Sequence, residues 1–201
     1  MIEDPFISNR GPFHIKVLAP LSKYRNGIAE KISASLHNTG TANGADSVSL
    51  KELAAKPWKN GTLTKENRAS IAFELSTKEG DKVLLLGDAH IKDILNGLDC
   101  FYPNQEHPIK YKIIKLSHHG SKNNFCPAFI QKVHADIFLV STNGDFFGHP
   151  DKEVIAQIIC NTDSIIGFNY GERKDSLFTK QDFMDFPNLK ERVFTTISCL
   201  E

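Results

Sequence analysis

No stretch of this 201-residue chain approaches the roughly 18 apolar residues that a membrane span needs, and the opening MIEDPFISNR has no basic segment leading into an apolar one. A membrane protein or exported precursor is therefore not expected, and the reading is a soluble, cytoplasmic chain. Charge of one sign is also missing: 24 Lys and Arg balance 24 Asp and Glu, so no overall field draws the molecule to nucleic acid or to a lipid surface. Cysteine is sparse. Cys100, Cys126, Cys160 and Cys199 are widely spaced with no CxxC pair, which argues against a disulfide framework or a zinc knuckle and for reduced thiols. Neither GxGxxG nor GxxxxGK[ST] occurs, which weighs against a nucleotide-binding module, and there are no repeats or low-complexity tracts.

What is present suits one folded domain over residues 1–201, since 40% hydrophobic and 24% charged residues are enough to build a core at this length. Phe13 to Leu18 alternates and stops at Pro20, predicting a strand, and Tyr24 to Leu36 places Ile28, Ile32 and Leu36 on one helical face. Residues 38–68 are rich in Gly, Asn, Thr and Lys around one helical turn and read as a long loop or insertion. Two apolar runs follow, Ala69 to Ser76 and Lys82 to Leu86, joined by a hairpin-like Lys-Glu-Gly-Asp. Helices are expected near His90 to Leu98, near Pro127 to Val133 and at Lys152 to Cys160. Strands are expected at Tyr111 to Leu116 and Asp136 to Val140, with edge or closing strands at Ser164 to Phe168 and Val193 to Ser198. Alternating helices and strongly apolar strands predict an α/β layered domain with a helix-covered sheet.

Polar motifs sit where such a sheet gathers ligands, at the ends of strands. Leu84-Leu85-Leu86-Gly87-Asp88, Lys115-Leu116-Ser117-His118-His119-Gly120-Ser121 and Val140 through Gly148-His149-Pro150 each run from an apolar strand into Asp or His. Carboxylate and imidazole donors suit Zn²⁺, and also Mn²⁺ or Fe, and the chemistry implied is attack by a metal-bound hydroxide.

Together with Asn67-Arg68-Ala69-Ser70-Ile71, these segments resemble the C-terminal half of the metallo-β-lactamase superfamily, closest to the hydrolase domain of bacterial DNA-uptake channel proteins. The resemblance covers roughly residues 60–160 and implies a partial αββα sandwich. It implies that Asp88 bridges metals, that His118 or His119 and His149 complete a second metal site or contact the scissile group, and that one or two ions are held. It places catalytic roles on His119 and His149 and implies a phosphodiester or nucleic-acid-like substrate. The superfamily's HxHxDH motif is absent, and His14 and His37 stand alone. The chain thus reads either as a metallo-hydrolase or as a truncated or split half-fold, inactive alone, that needs a second chain carrying HxHxDH. Phe13 to Leu36 matches the connector that often precedes the second half.

Each residue also has a plainer role. Asp88 could cap the helix after it, and the adjacent histidines could be structural. His149 could simply open a turn, and His90 reads as a further pocket group or, in preference, as a solvated residue at a helix start. Ser121 and Asn143 fit substrate contacts or turns equally well, while Lys115, Lys122 and Arg173 read as anion-holding groups or as surface charge.

Overall fold

The computed structural model describes residues 6–20, 47–59, 61 and 67–196, and within them eight strands form one sheet in the order in which they occur along the chain. The strands are β1 (Phe6–Arg10), β2 (Phe13–Ala19), β3 (Ala72–Thr77), β4 (Lys82–Leu85), β5 (Ile109–Lys115), β6 (Val133–Val140), β7 (Ile165–Phe168) and β8 (Val193–Thr195). β1 to β4 run antiparallel and β4 to β8 run parallel. The chain is therefore α/β, as its alternation predicts. The β3–β4 hairpin turns at Gly80, whose φ of 94° favours glycine.

Parallel neighbours cannot be joined by a tight turn, so each step carries a crossover. The crossovers are α2 (Ile91–Phe101) between β4 and β5, α3 (Pro127–Lys132) between β5 and β6, and α4 (Lys152–Asn161) between β6 and β7. α5 (Gly171–Leu177), α6 (Lys180–Asp185) and α7 (Leu189–Arg192) lie between β7 and β8, and α1 (Leu50–Ala55) precedes β3. Every parallel step moves one strand in the same direction. The right-handed sense of such connections then puts all the crossovers on one face.

Burial agrees with that geometry. Leu84, Ile114, Phe138 and Ile166 are aligned across β4 to β7 and are fully buried. Their neighbours on the opposite face, Val83, Ile113, Ile137 and Ile165, form an equally apolar row that stays partly exposed. Ile15 and Leu75 extend this row across β2 and β3. Apolar strands predict a sheet covered by helices, but among the described residues the helices cover one face only.

Two buried polar networks tie the layers together. Glu74 of β3 accepts hydrogen bonds from Tyr102 at 2.7 Å and Tyr111 at 2.8 Å and pairs with Lys16 at 3.3 Å, which fixes the end of α2 to the sheet. On the helical side, Lys152 of α4 pairs with Asp182 of α6 at 2.7 Å, both side chains fully buried. Asp182 also accepts from the Leu50 backbone N–H at 2.6 Å, so one carboxylate joins α1, α4 and α6.

Most expected elements form within a few residues of their expected limits. The helix expected at Tyr24 to Leu36 and most of the 38–68 loop lie outside the described residues, although α1 replaces the single turn expected there. β6 begins three residues earlier than its apolar run, at Val133, and β7 lies inside the sheet between β6 and β8. β1 and α5 to α7 were not expected. Among the described residues no helix is long and apolar enough to cross a membrane. Cys100, Cys126 and Cys160 are free thiols.

Candidate functional site

The C-terminal ends of β4, β5 and β6 lie side by side, and the loops leaving them are laced together. After β4 the chain turns at Gly87 (φ 52°), where a Cβ would come within 2.6 Å of the Ile71 carbonyl oxygen. The next residue, Asp88, donates its backbone N–H to Ser70 Oγ at 2.9 Å, while its carbonyl accepts from Asn124 Nδ2 at 2.9 Å. The His118 backbone N–H donates to the Gly87 carbonyl at 2.8 Å, and Ser117 Oγ donates to the Ala89 carbonyl at 2.7 Å. Asp88 is not the cap of α2. That role belongs to His90, whose Nδ1 accepts from the Lys92 backbone N–H at 3.1 Å. His90 is buried rather than solvated, and burial holds its pKa below the usual histidine value.

His118 and His119 both adopt left-handed backbone conformations, with φ of 44° and 58°. Non-glycine residues pay roughly 1 kcal/mol or more each for this region, and such strain concentrates at functional sites. His118 Nδ1 sits between Asn67 Nδ2 at 3.2 Å and Asn124 Oδ1 at 3.3 Å, so the ring is oriented through Nδ1 and Nε2 is left for a ligand. His119 donates from Nδ1 to the Ser141 carbonyl at 2.7 Å, which fixes its tautomer and leaves the Nε2 lone pair available. Burial, followed by the positive charge of Lys115, pushes the His119 pKa down. Burial also lowers the pKa of Lys115, with Asp88 opposing that effect.

His149 completes the group. Its ring lies 5.3 Å from that of His118, edge to face, and stacks on Phe147 at 5.9 Å and 23°. Its Nδ1 is buried without a hydrogen bond, 3.5 Å from Asp151 Oδ2. Burial lowers its pKa, and His118 and His119 add to that while Asp151 works against it.

Arg173, read from sequence as an anion-holding group or as surface charge, is neither. It is buried on α5 and donates to the carbonyls of Gly148 at 2.7 Å, His149 at 3.0 Å and Pro150 at 3.0 Å. Its aliphatic stem presses on Gly144, where a Cβ would lie 2.8 Å from Cδ. The loop carrying His149 is thereby clamped from the far side. Lys122 pairs with Glu153 at 3.0 Å, Ser121 caps the short helix that follows it, and Asn143 accepts from the Asp145 backbone N–H at 3.2 Å. All three serve local structure.

His118, His119 and His149 are thus mutual neighbours, with Asp88 on the adjacent strand end within electrostatic reach of His119 and Lys115. The donor types suit Zn²⁺, Mn²⁺ or Fe, and the orphaned Nδ1 of His149 is an atom in need of a partner. The fit is partial, because no three His, Cys, Asp or Glu side chains among the described residues are placed to hold a metal ion. Asn67, Asn124, Ser70, Ser141 and Phe147 shape the site without any metal-ligand signature of their own. Of these, only Asn124 lies outside the segments that the sequence motifs pick out.

No protein-family model, curated protein or solved structure matches this chain.

Proposed function

We propose that this chain carries part of the centre of a metal-dependent hydrolase built on a metallo-β-lactamase-like αββα sandwich and acting on phosphodiester or nucleic-acid-like substrates. The observation that carries the reading is the delivery of Asp88, the His118-His119 pair and His149 from three adjacent parallel strand ends. Asp88, His118 and His149 are the ligands that the resemblance implies for one or two ions. Among the described residues the three do not form a metal-holding group by themselves, so they would hold an ion only with further donors. Bound there, Zn²⁺, Mn²⁺ or Fe would supply Lewis acidity and activate water. His119, fixed through Nδ1, offers Nε2 to accept a proton, and its lowered pKa keeps it neutral for that task at pH 7. The choice of a phosphodiester rests on sequence resemblance alone.

A second reading is that the chain is a half-fold, inactive until a partner chain bearing HxHxDH completes it. The apolar sheet face that the described helices leave uncovered favours this reading, as does the lack of a three-donor group among the described residues. Elemental analysis of the purified 201-residue chain beside Asp88→Ala and His118→Ala separates the two. Tightly held Zn or Mn that disappears in both variants supports a usable site. A folded chain without metal rules out the stand-alone enzyme and leaves the half-fold.

A further inference from the structure

His118 Nδ1 faces two side-chain amides at once, Asn67 through Nδ2 at 3.2 Å and Asn124 through Oδ1 at 3.3 Å. The first is a donor and the second an acceptor, whereas a nitrogen of a neutral imidazole carries either a proton or a lone pair. The two contacts therefore belong to different tautomers. With the proton on Nδ1 the ring donates to Asn124, and Nε2 keeps its lone pair. With the proton on Nε2 the ring accepts from Asn67 and has no lone pair left to offer.

The surroundings of Asn124 decide between them. This residue is 2% exposed, and its Nδ2 donates to two backbone carbonyls, of Asp88 at 2.9 Å and of Ala89 at 3.3 Å. Turning the amide over would set Oδ1 against both carbonyls in a buried place and leave them without their donor, so Oδ1 is the atom that faces His118. Asn124 is itself placed by its backbone N–H, which donates to the Ser121 carbonyl at 3.0 Å.

We propose that Asn124 is a positioning residue that holds His118 in its Nδ1–H tautomer and ties that choice to the loop carrying Asp88. His119, donating from Nδ1 to the Ser141 carbonyl, has the same tautomer, so the adjacent histidines both present Nε2 lone pairs. Such a pair suits a cation or a proton donor. The use made of Nε2 rests on the hydrolase reading, but the tautomer does not need a metal.

The test is long-range proton–nitrogen NMR of the full chain with labelled histidine and a chelator present, at about pH 8.5, where imidazoles are neutral. Wild type is compared with Asn124→Ala, Asn124→Asp and Asn67→Ala. Wild-type His118 is expected to be protonated at Nδ1 and bare at Nε2. N124A should shift the proton towards Nε2, the form that Asn67 supports, and N67A should leave the pattern unchanged. N124D keeps an acceptor oxygen but loses both amide donors, so it should restore the wild-type tautomer. A merely structural role would instead make N124D behave as N124A does. That result, an unmoved tautomer in N124A, a switch in N67A, or a wild-type His118 protonated mainly at Nε2 overturns the proposal, and the wild-type spectrum decides even if a variant fails to fold. Metal content of wild type without chelator is read separately. A chain that holds no metal yet shows His118 protonated at Nδ1 removes the stand-alone hydrolase and leaves the positioning role.

Discussion

Arg173 Nε donates to the carbonyl of His149 at 3.0 Å, so a buried cation on α5 sets the position of a candidate ligand that follows β6. Because the guanidinium holds three consecutive carbonyls, its removal leaves all three without their donor. Arg173→Met is expected to cost about 2 to 4 kcal/mol in denaturant unfolding, since hydrogen bonds from a charged donor contribute about 1.5 to 3 kcal/mol each and part of the loss is recovered from solvent. In the same variant the nuclear Overhauser contact between the His118 and His149 rings should vanish. Retention of that contact would show that the loop holds itself.

The Lys152–Asp182 pair is buried at both ends. Lys152→Met or Asp182→Asn alone should destabilise the chain by about 3 to 5 kcal/mol, because each leaves its partner uncompensated in the interior. The double change to two apolar residues should cost less than either single one. Chemical denaturation of the three variants checks the order.

Asp182 also gives an acid limb. Burial pushes its carboxyl up, but hydrogen bonds from Lys152, the Leu50 N–H and Thr179 outweigh that and hold its pKa below the usual aspartate range. Its contribution is therefore present above the unfolded value, about 4, and is lost as pH falls through the folded value. Unfolding midpoints between pH 6 and 3 should fall less steeply in D182N than in wild type, and parallel curves would refute the assignment.

His119 should titrate below the ordinary histidine value of about 6.5 in an NMR titration, because burial and then Lys115 disfavour its charged form. The stability linked to it is complete above that value and declines as pH drops through the folded midpoint. Lys115→Met removes the second cause and should raise the midpoint. A midpoint that does not move would mean burial alone sets it.

The two faces of the sheet should respond differently to charge. Ile114→Lys, facing the helices, should prevent folding, whereas Ile113→Lys on the face that the described helices leave open should cost about 1 kcal/mol or less and reduce binding of an apolar dye. Equal damage at both positions would mean that the open face is covered after all.

The seven strands from β2 to β8 could be read from runs such as Val83 to Leu86 and Asp136 to Val140, because apolar residues on consecutive positions leave few alternatives to an α/β strand. The same runs hid which face was covered, since continuous apolarity reads identically whether one layer or two meet the sheet. β1 is only five residues long with Ser, Asn and Arg in it, and α5 to α7 are short and polar, so neither shows a strong period. As candidates, Asp88, His118 and His119 stand out in the sequence because each closely follows an apolar strand, and His149 because its Gly-His-Pro segment lies in the loop after β6. Arg173 does not, because its partners lie more than twenty residues away and are backbone carbonyls, which carry no sequence signature.

Strand order has a further consequence for how such a chain is made. Each strand pairs with the one synthesised just before it, so a growing polypeptide always meets a template already in place and never waits for a distant segment. Assembly can follow translation from one edge of the sheet to the other, and the His149 loop can be locked only after Arg173 has emerged.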